Sequence, residues 1–125
     1  MVRVMSFTFD NDRPIYLQII EHLKKLIACG QYKPSQKLPS IRELAESMGV
    51  NPNTVQKALF ELEDIGLILT ERTNGKFVTS NLQLIEDVKN NLLNQRAQKF
   101  FSDMEEIGLD YKQAIEYLIN RRGEK

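Results

Sequence analysis

The sequence is short of most side chains that do chemistry. Its 125 residues hold one cysteine (Cys29), one histidine (His22) and no tryptophan. A lone cysteine cannot close a disulfide within the chain, so a reducing compartment is expected. A zinc centre would have to take its remaining ligands from carboxylates, and no metal site is expected. There is no Gly-rich phosphate loop, and no Ser–His or Cys–His pair stands at a spacing that supports nucleophilic catalysis. The chain is therefore not expected to be an enzyme, and no catalytic residue or cofactor is assigned. No apolar run approaches the roughly 18 residues of a membrane span, and no signal peptide opens the chain. The expected location is the cytoplasm, with no membrane contact.

Net charge is missing too, with 17 Lys+Arg against 17 Asp+Glu. Neutrality argues against a polycation that coats nucleic acid or lipid, but recognition depends on where charges sit. Residues 1–80 carry 10 basic against 9 acidic side chains, and residues 81–125 carry 7 against 8. Within 33–57, Lys33, Lys37, Arg42 and Lys57 outnumber Glu43 and Glu46. The length is enough for one hydrophobic core without disulfides or metals.

Helical punctuation is abundant. Met5-Ser-Phe7-Thr-Phe9 reads as a short strand or an arm packed on the body. Pro14 suits the first turn of a helix, along which Ile15, Ile19, Leu23, Leu26 and Ile27 form one stripe until Gly30. His22 reads as a surface residue of that helix, Cys29 as a small, partly buried filler, and Tyr16 and Tyr32 as packing residues. Residues 31–39 contain two prolines and read as a loop. Ser40-Ile-Arg-Glu43 is a capping box opening helix 41–48, whose Ile41, Leu44, Ala45 and Met48 face inward before Gly49. Asn51-Pro52 repeats the start signal for helix 52–65, with Val55, Ala58, Leu59, Leu62 and Ile65 inward and Gly66 closing it. Two such helices back to back are a helix-turn-helix. Leu67–Thr70 and Lys76–Thr79 then flank Asn74-Gly75, a hairpin signal, which completes a winged helix.

The remaining residues form a different kind of segment. Ser80–Gln83 reads as a further capping box, followed by a stripe of Ile85, Val88, Leu92, Ala97, Phe100 and Met104, widened by Leu93 and Phe101. Gly108 interrupts it. Asp110 caps a last helix with Ala114, Ile115, Leu118 and Ile119 on one face. The expected fold is mainly α with a small β-hairpin wing. Residues 1–80 make a winged helix-turn-helix DNA-binding domain, and residues 81–125 a two-helix hairpin for dimerisation. The wide apolar stripe has no evident partner in a small winged helix, so the same helices of a second copy are expected to cover it. Ile85, Val88, Leu92, Phe100, Phe101, Met104, Ile115 and Leu118 are the candidate seam; a tail folded back on its own domain is the alternative.

Donors concentrate where a DNA reader needs them. With Val55, Leu59 and Leu62 inward, Asn53, Thr54, Gln56 and Lys57 face outward from the first turns of helix 52–65. Amides can bond adenine bidentately, and a lysine can reach guanine or phosphate. Asn51 caps that helix, and Ser40 both caps its own and can touch a phosphate. Arg72, Thr73, Gly75 and Lys76 of the wing, with Lys37 of the loop, are candidates for phosphate or minor-groove contacts.

Pro14-Ile-Tyr-Leu-Gln-Ile19, Lys37-Leu-Pro-Ser-Ile-Arg-Glu-Leu-Ala45, Val50-Asn-Pro-Asn-Thr-Val55, Leu62-Glu-Asp-Ile-Gly-Leu67 and Gly75-Lys-Phe-Val78 together resemble the GntR family of bacterial transcription regulators. The Pro-Ile-Tyr-x-Gln-Ile and Asn-Pro-Asn-Thr-Val stretches resemble its YtrA subfamily. The resemblance spans about residues 12–79. It implies DNA contact by Arg42, and a short two-helix C-terminal region in place of a large effector domain. The family usually has Gly where Ser35 stands, and a second Gly in the wing. The implied function is a sequence-specific transcription regulator, a repressor on a palindromic double-stranded operator, acting as a homodimer. A small-molecule effector, if the protein takes one, would sit between domain and tail or at the dimer seam; the sequence names no ligand. The alternative is a winged-helix protein-interaction module without DNA binding. That reading requires acidic or apolar residues where Asn53, Gln56 and Lys57 stand.

Overall fold

A mainly helical chain with one antiparallel hairpin follows from that punctuation. The computed structural model describes residues 9–122, so the strand or arm expected at Met5–Phe9 lies outside the described residues apart from Phe9. The elements are α1 (Ile15–Ala28), α2 (Ile41–Met48), α3 (Pro52–Asp64), β1 (Ile68–Glu71), β2 (Gly75–Val78), α4 (Leu82–Glu106) and α5 (Tyr111–Arg121). The chain divides into two compact units, Met1–Lys89 and Asn90–Lys125, and the division falls inside α4.

In the first unit, α1 and α3 pack across a core that includes Ile19, Leu23, Val55, Leu59, Leu62, Leu67, Ile68 and Val78, each 0–1% exposed. The inward face of α1 is turned slightly from the expected stripe. Ile20 is buried, whereas Ile15, in the first turn, is 40% exposed. Pro14 is the residue before the helix, and the start of α1 is fastened by buried Gln18. Its Oε1 accepts from the Asp10 N–H at 2.8 Å, and its Nε2 donates to the carbonyls of Asp10 and Arg13 at 2.9 and 3.0 Å. Every polar atom of that amide is used, which offsets the cost of burying it.

His22 is buried rather than on the surface, and Cys29 is exposed rather than a filler. Burial pushes the His22 imidazole below its ordinary 6.5, and the charge of Lys25 pushes the same way. The unfolded chain therefore takes up a proton near pH 6.5 that the folded chain takes up only at lower pH. Stability should fall as pH drops through that window. Urea midpoints measured between about pH 7.5 and 5.5 should show the fall, and His22→Gln should flatten it. An identical slope in the variant would assign the effect elsewhere.

The hairpin pairs Ile68 with Val78 through Glu71 with Gly75, leaving Arg72, Thr73 and Asn74 as the turn. Gly75 has φ +103, where a side chain would be strained. The loop before α2 adds a third line of pairing. The Leu38 N–H donates to the Lys76 carbonyl (2.8 Å), and the Val78 N–H to the Gln36 carbonyl (2.9 Å). Ser35 turns into that pairing with φ +67, the left-handed conformation that glycine adopts freely. Ser35→Gly should thus stabilise the fold by up to about 1 kcal/mol, read as a higher urea midpoint. A lower midpoint would show that the serine side chain outweighs the strain.

Leu84, Ile85 and Val88, at the start of α4, lie against this core, and Asn81 rather than Ser80 caps the helix through its Oδ1 (3.1 Å from the Leu84 N). In the second unit, α5 opens on the expected Asp110 cap, closed into a box by Gln113. Phe101 meets Phe100 edge-on at 5.3 Å and Tyr111 at 4.7 Å between ring centroids. Among its described residues Ala114 alone is buried.

Candidate nucleic-acid interface

The two helices that would meet DNA begin with their backbone donors under control. Ser40 Oγ accepts from the Glu43 N–H (3.1 Å), and Glu43 Oε1 accepts from the Ser40 N–H (2.8 Å), the reciprocal box read from the sequence. Gly49 ends α2 in the left-handed conformation. Two residues on, Asn51 Oδ1 accepts from the Asn53 N–H at 2.7 Å, and Pro52 takes the first helical position of α3. With Val55, Ala58, Leu59 and Leu62 buried, the remaining sides of α3 fall outward.

Asn53, Gln56 and Lys57 are exposed on that outer face, and Thr54 is half-buried beside them. Asn51 is exposed and already engaged as a cap through its Oδ1. Phe60, 66% exposed, continues the outer face one turn on, and Glu61 and Asp64 close it. Donors thus occupy the first half of the helix and acids the second. On α2, Arg42 is exposed and forms no ion pair among the described residues; the neighbouring Glu43 is occupied by the capping box. Ser40 is exposed at the start of the same helix.

The wing divides its candidates. Arg72 and Thr73 are exposed in the turn, and Gly75 follows them. Lys76 is half-buried, and its ammonium is engaged. It donates to Glu63 Oε2 on α3 and, at 2.8 Å, to Thr70 Oγ1, which itself donates to the same carboxylate at 2.7 Å. Burial alone would raise the Glu63 carboxyl, but the bonds from Lys76 and Thr70 and the charge of Lys76 outweigh it and hold it below its ordinary range. This three-residue cluster ties both strands of the wing to α3. Lys37 lies along the wing, with its Cε 3.1 Å from where a Cβ on Gly75 would stand.

Two partners were not readable from the sequence. Glu63 was one, and Tyr16 is the other: the Lys57 ammonium lies 3.9 Å from the centroid of the Tyr16 ring. Neither pair shares a motif or a helical spacing that would signal it.

Of the candidate seam, Ile85 and Val88 pack within the first unit. Leu92, Phe100, Phe101, Met104 and Ile115 are half-buried in the second, and Leu118 is 43% exposed.

Residues 15–78 match the model of the bacterial regulatory proteins of the gntR family. The chain is 33% identical over 112 residues to the uncharacterised HTH-type transcriptional regulator YhcF of Bacillus subtilis, covering 90% of this chain and 93% of that one. It is 38% identical over 107 residues to the HTH-type transcriptional repressor YtrA of the same organism, covering 84% and 82%. A GntR family transcriptional regulator from Listeria monocytogenes superposes with a TM-score of 0.82 at 37% identity, over 90% of this chain and 98% of that one. AraR(DBD) in complex with operator ORR3 superposes with a TM-score of 0.53 at 29% identity, over 63% and 95%. The chain belongs to the gntR family of bacterial regulatory proteins, is YtrA-like within it, and is a DNA-binding transcriptional regulator rather than an enzyme.

Proposed function

We propose that this regulator binds a palindromic operator as a homodimer in the cytoplasm and represses transcription there, with base and phosphate contacts from Arg42, Asn53, Gln56 and Lys57. The observation that carries the reading is the outer face of α3, where exposed amides and a cation stand directly over a fully buried Val55–Leu62 stripe. Amides and a guanidinium read base edges, and ammonium groups neutralise phosphates. Ser40, Asn51 and Thr54 support the same surface. Arg72 and Thr73 reach from the wing tip, and Gly75 shapes its turn. Lys76 acts chiefly by holding the wing on α3. The repressor assignment follows the similarity to YtrA, and no described helix is long and apolar enough to cross a membrane.

The second copy is argued from the tail. Leu93, Ile107, Tyr111, Tyr117, Leu118 and Ile119 are between 43% and 79% exposed. A unit of this size rarely stands alone, and a two-fold partner would cover those side chains. The test is selection of a preferred duplex from a random-sequence pool, followed by affinity measured against salt. A palindromic consensus is expected, with log affinity falling linearly with log salt at about 0.9 per phosphate neutralised. No preferred duplex, or a flat salt response, would favour the interaction-module reading.

A further inference from the structure

We infer that Tyr16 of α1 is a positioning residue for DNA recognition, holding the Lys57 ammonium ready for the nucleic acid without neutralising it. The inference rests on the placement of Lys57 at the DNA surface.

A lysine on a solvated helix face has a long, flexible stem, and its ammonium samples many positions. Lys57 has an acid within helical reach, Glu61 four residues on. Lysine N-terminal to glutamate is the weaker orientation of such a pair, and Lys57 forms no ion pair among the described residues. It stands instead over the Tyr16 ring, 3.9 Å from the centroid, well inside the roughly 6 Å within which a ring face attracts a cation.

The ring is a firm platform. Tyr16 is half-buried against the hydrophobic core, on the first turn of α1. The same turn is fastened by the Gln18 amide to the backbone of Asp10 and Arg13. The contrast with Lys76 gives the pairing its meaning. Lys76 meets a carboxylate, which offsets its charge, and spends two of its three N–H donors on Glu63 and Thr70. An aromatic face has no net charge. It orients the ammonium from one side and leaves the full positive charge and the outward N–H groups for a phosphate or a guanine edge. Through this ring α1, otherwise a core helix, takes part in recognition.

The experiment uses the full chain and a duplex selected by it from a random-sequence pool. Lys57→Ala should weaken binding and lower the salt slope by about 1. Tyr16→Leu should weaken binding about two- to fivefold, and Tyr16→Phe should restore it, since the ring face is kept. In the Lys57→Ala background, Tyr16→Leu should cost nothing further. Where leucine lowers the melting temperature, a second series keeps the shape and changes only the ring. With Tyr16→Phe progressively fluorinated, affinity should fall step by step as the ring face loses electron density, and not at all in the Lys57→Ala background. Additive losses, or affinity indifferent to fluorination, overturn the inference while leaving Lys57 at the DNA. An unchanged salt slope in Lys57→Ala, or a pool that yields no preferred duplex, removes the reading of Lys57 and the inference together.

Discussion

Replacing Arg42 with alanine should cost specific DNA binding about 1–3 kcal/mol and leave the fold unaltered. Arg42 is the second residue of α2, exposed, with no carboxylate bound to it among the described residues. Of the two acids nearest along the helix, Glu43 is committed to the Ser40 backbone at 2.8 Å and Glu46, four residues on, forms no ion pair with it, so among the described residues the guanidinium is not consumed. The inward residues of α2 are Leu44 and Ala45, so truncating Arg42 opens no cavity. Stability should stay within about 0.5 kcal/mol of the parent, as for surface changes away from special features. Arg42→Lys is the informative companion. It keeps the charge and loses the planar fork, so salt dependence should survive while discrimination between duplexes declines. Affinity for the selected duplex and for an unrelated one, measured at one salt concentration, separates the two effects. An Arg42→Ala protein that binds both duplexes as tightly as the parent would take Arg42 out of the interface.

Much of the DNA-binding unit was legible because its signals are local. Ser40 with Glu43, Asn51 with Pro52, and Asn74 with Gly75 act over at most three residues, and the helices and the wing begin and turn where those signals stand. The turn of α1 about its axis was not legible. Ile15 and Ile20 are equally apolar, and only tertiary packing decides that Ile20 goes inward. His22 and Cys29 exchanged their expected environments for the same reason. The electrostatics of the interface were least legible. Glu63 and Lys76 are 13 residues apart and on different elements, and the sequence offers Lys76 as a free cation. Tyr16 and Lys57 meet only because α1 packs across α3. Neutral overall charge fits the proposed interface, in which one wing lysine is spent on an internal acid and selectivity would fall to Arg42, the amides and an oriented Lys57.

Removing residues 90–125 should convert a dimer into a monomer and weaken binding to a palindromic duplex about 10²- to 10⁴-fold, the range lost when two linked contacts become independent. The cut belongs after Lys89 rather than after Ser80. Leu84, Ile85 and Val88 cover the core of the first unit, and Leu84 Cδ2 approaches to 3.6 Å of where a Cβ on Gly66 would stand. Truncation at 80 would expose that core and confuse loss of the dimer with loss of the fold. Residues 90–125, by contrast, keep one side chain buried among those described and leave Leu93 at 56%, Leu118 at 43% and Ile119 at 61% exposure. Each is already about half covered, so a second copy would add about half of the 1.5–3 kcal/mol that full burial of such a side chain brings, and several per subunit are needed for a stable pair. Leu93→Glu with Leu118→Glu makes the same test in the full-length chain, because a carboxylate buried at a seam without a partner is costly. Sedimentation should give the mass of one chain for both proteins, each melting as a folded species and each still binding a single half-site with the Arg42-dependent preference of the parent. A dimer that survives both changes would move the seam onto the first unit, where Phe60, Ile65 and Leu69 are the large apolar side chains exposed on α3, just after it and on β1.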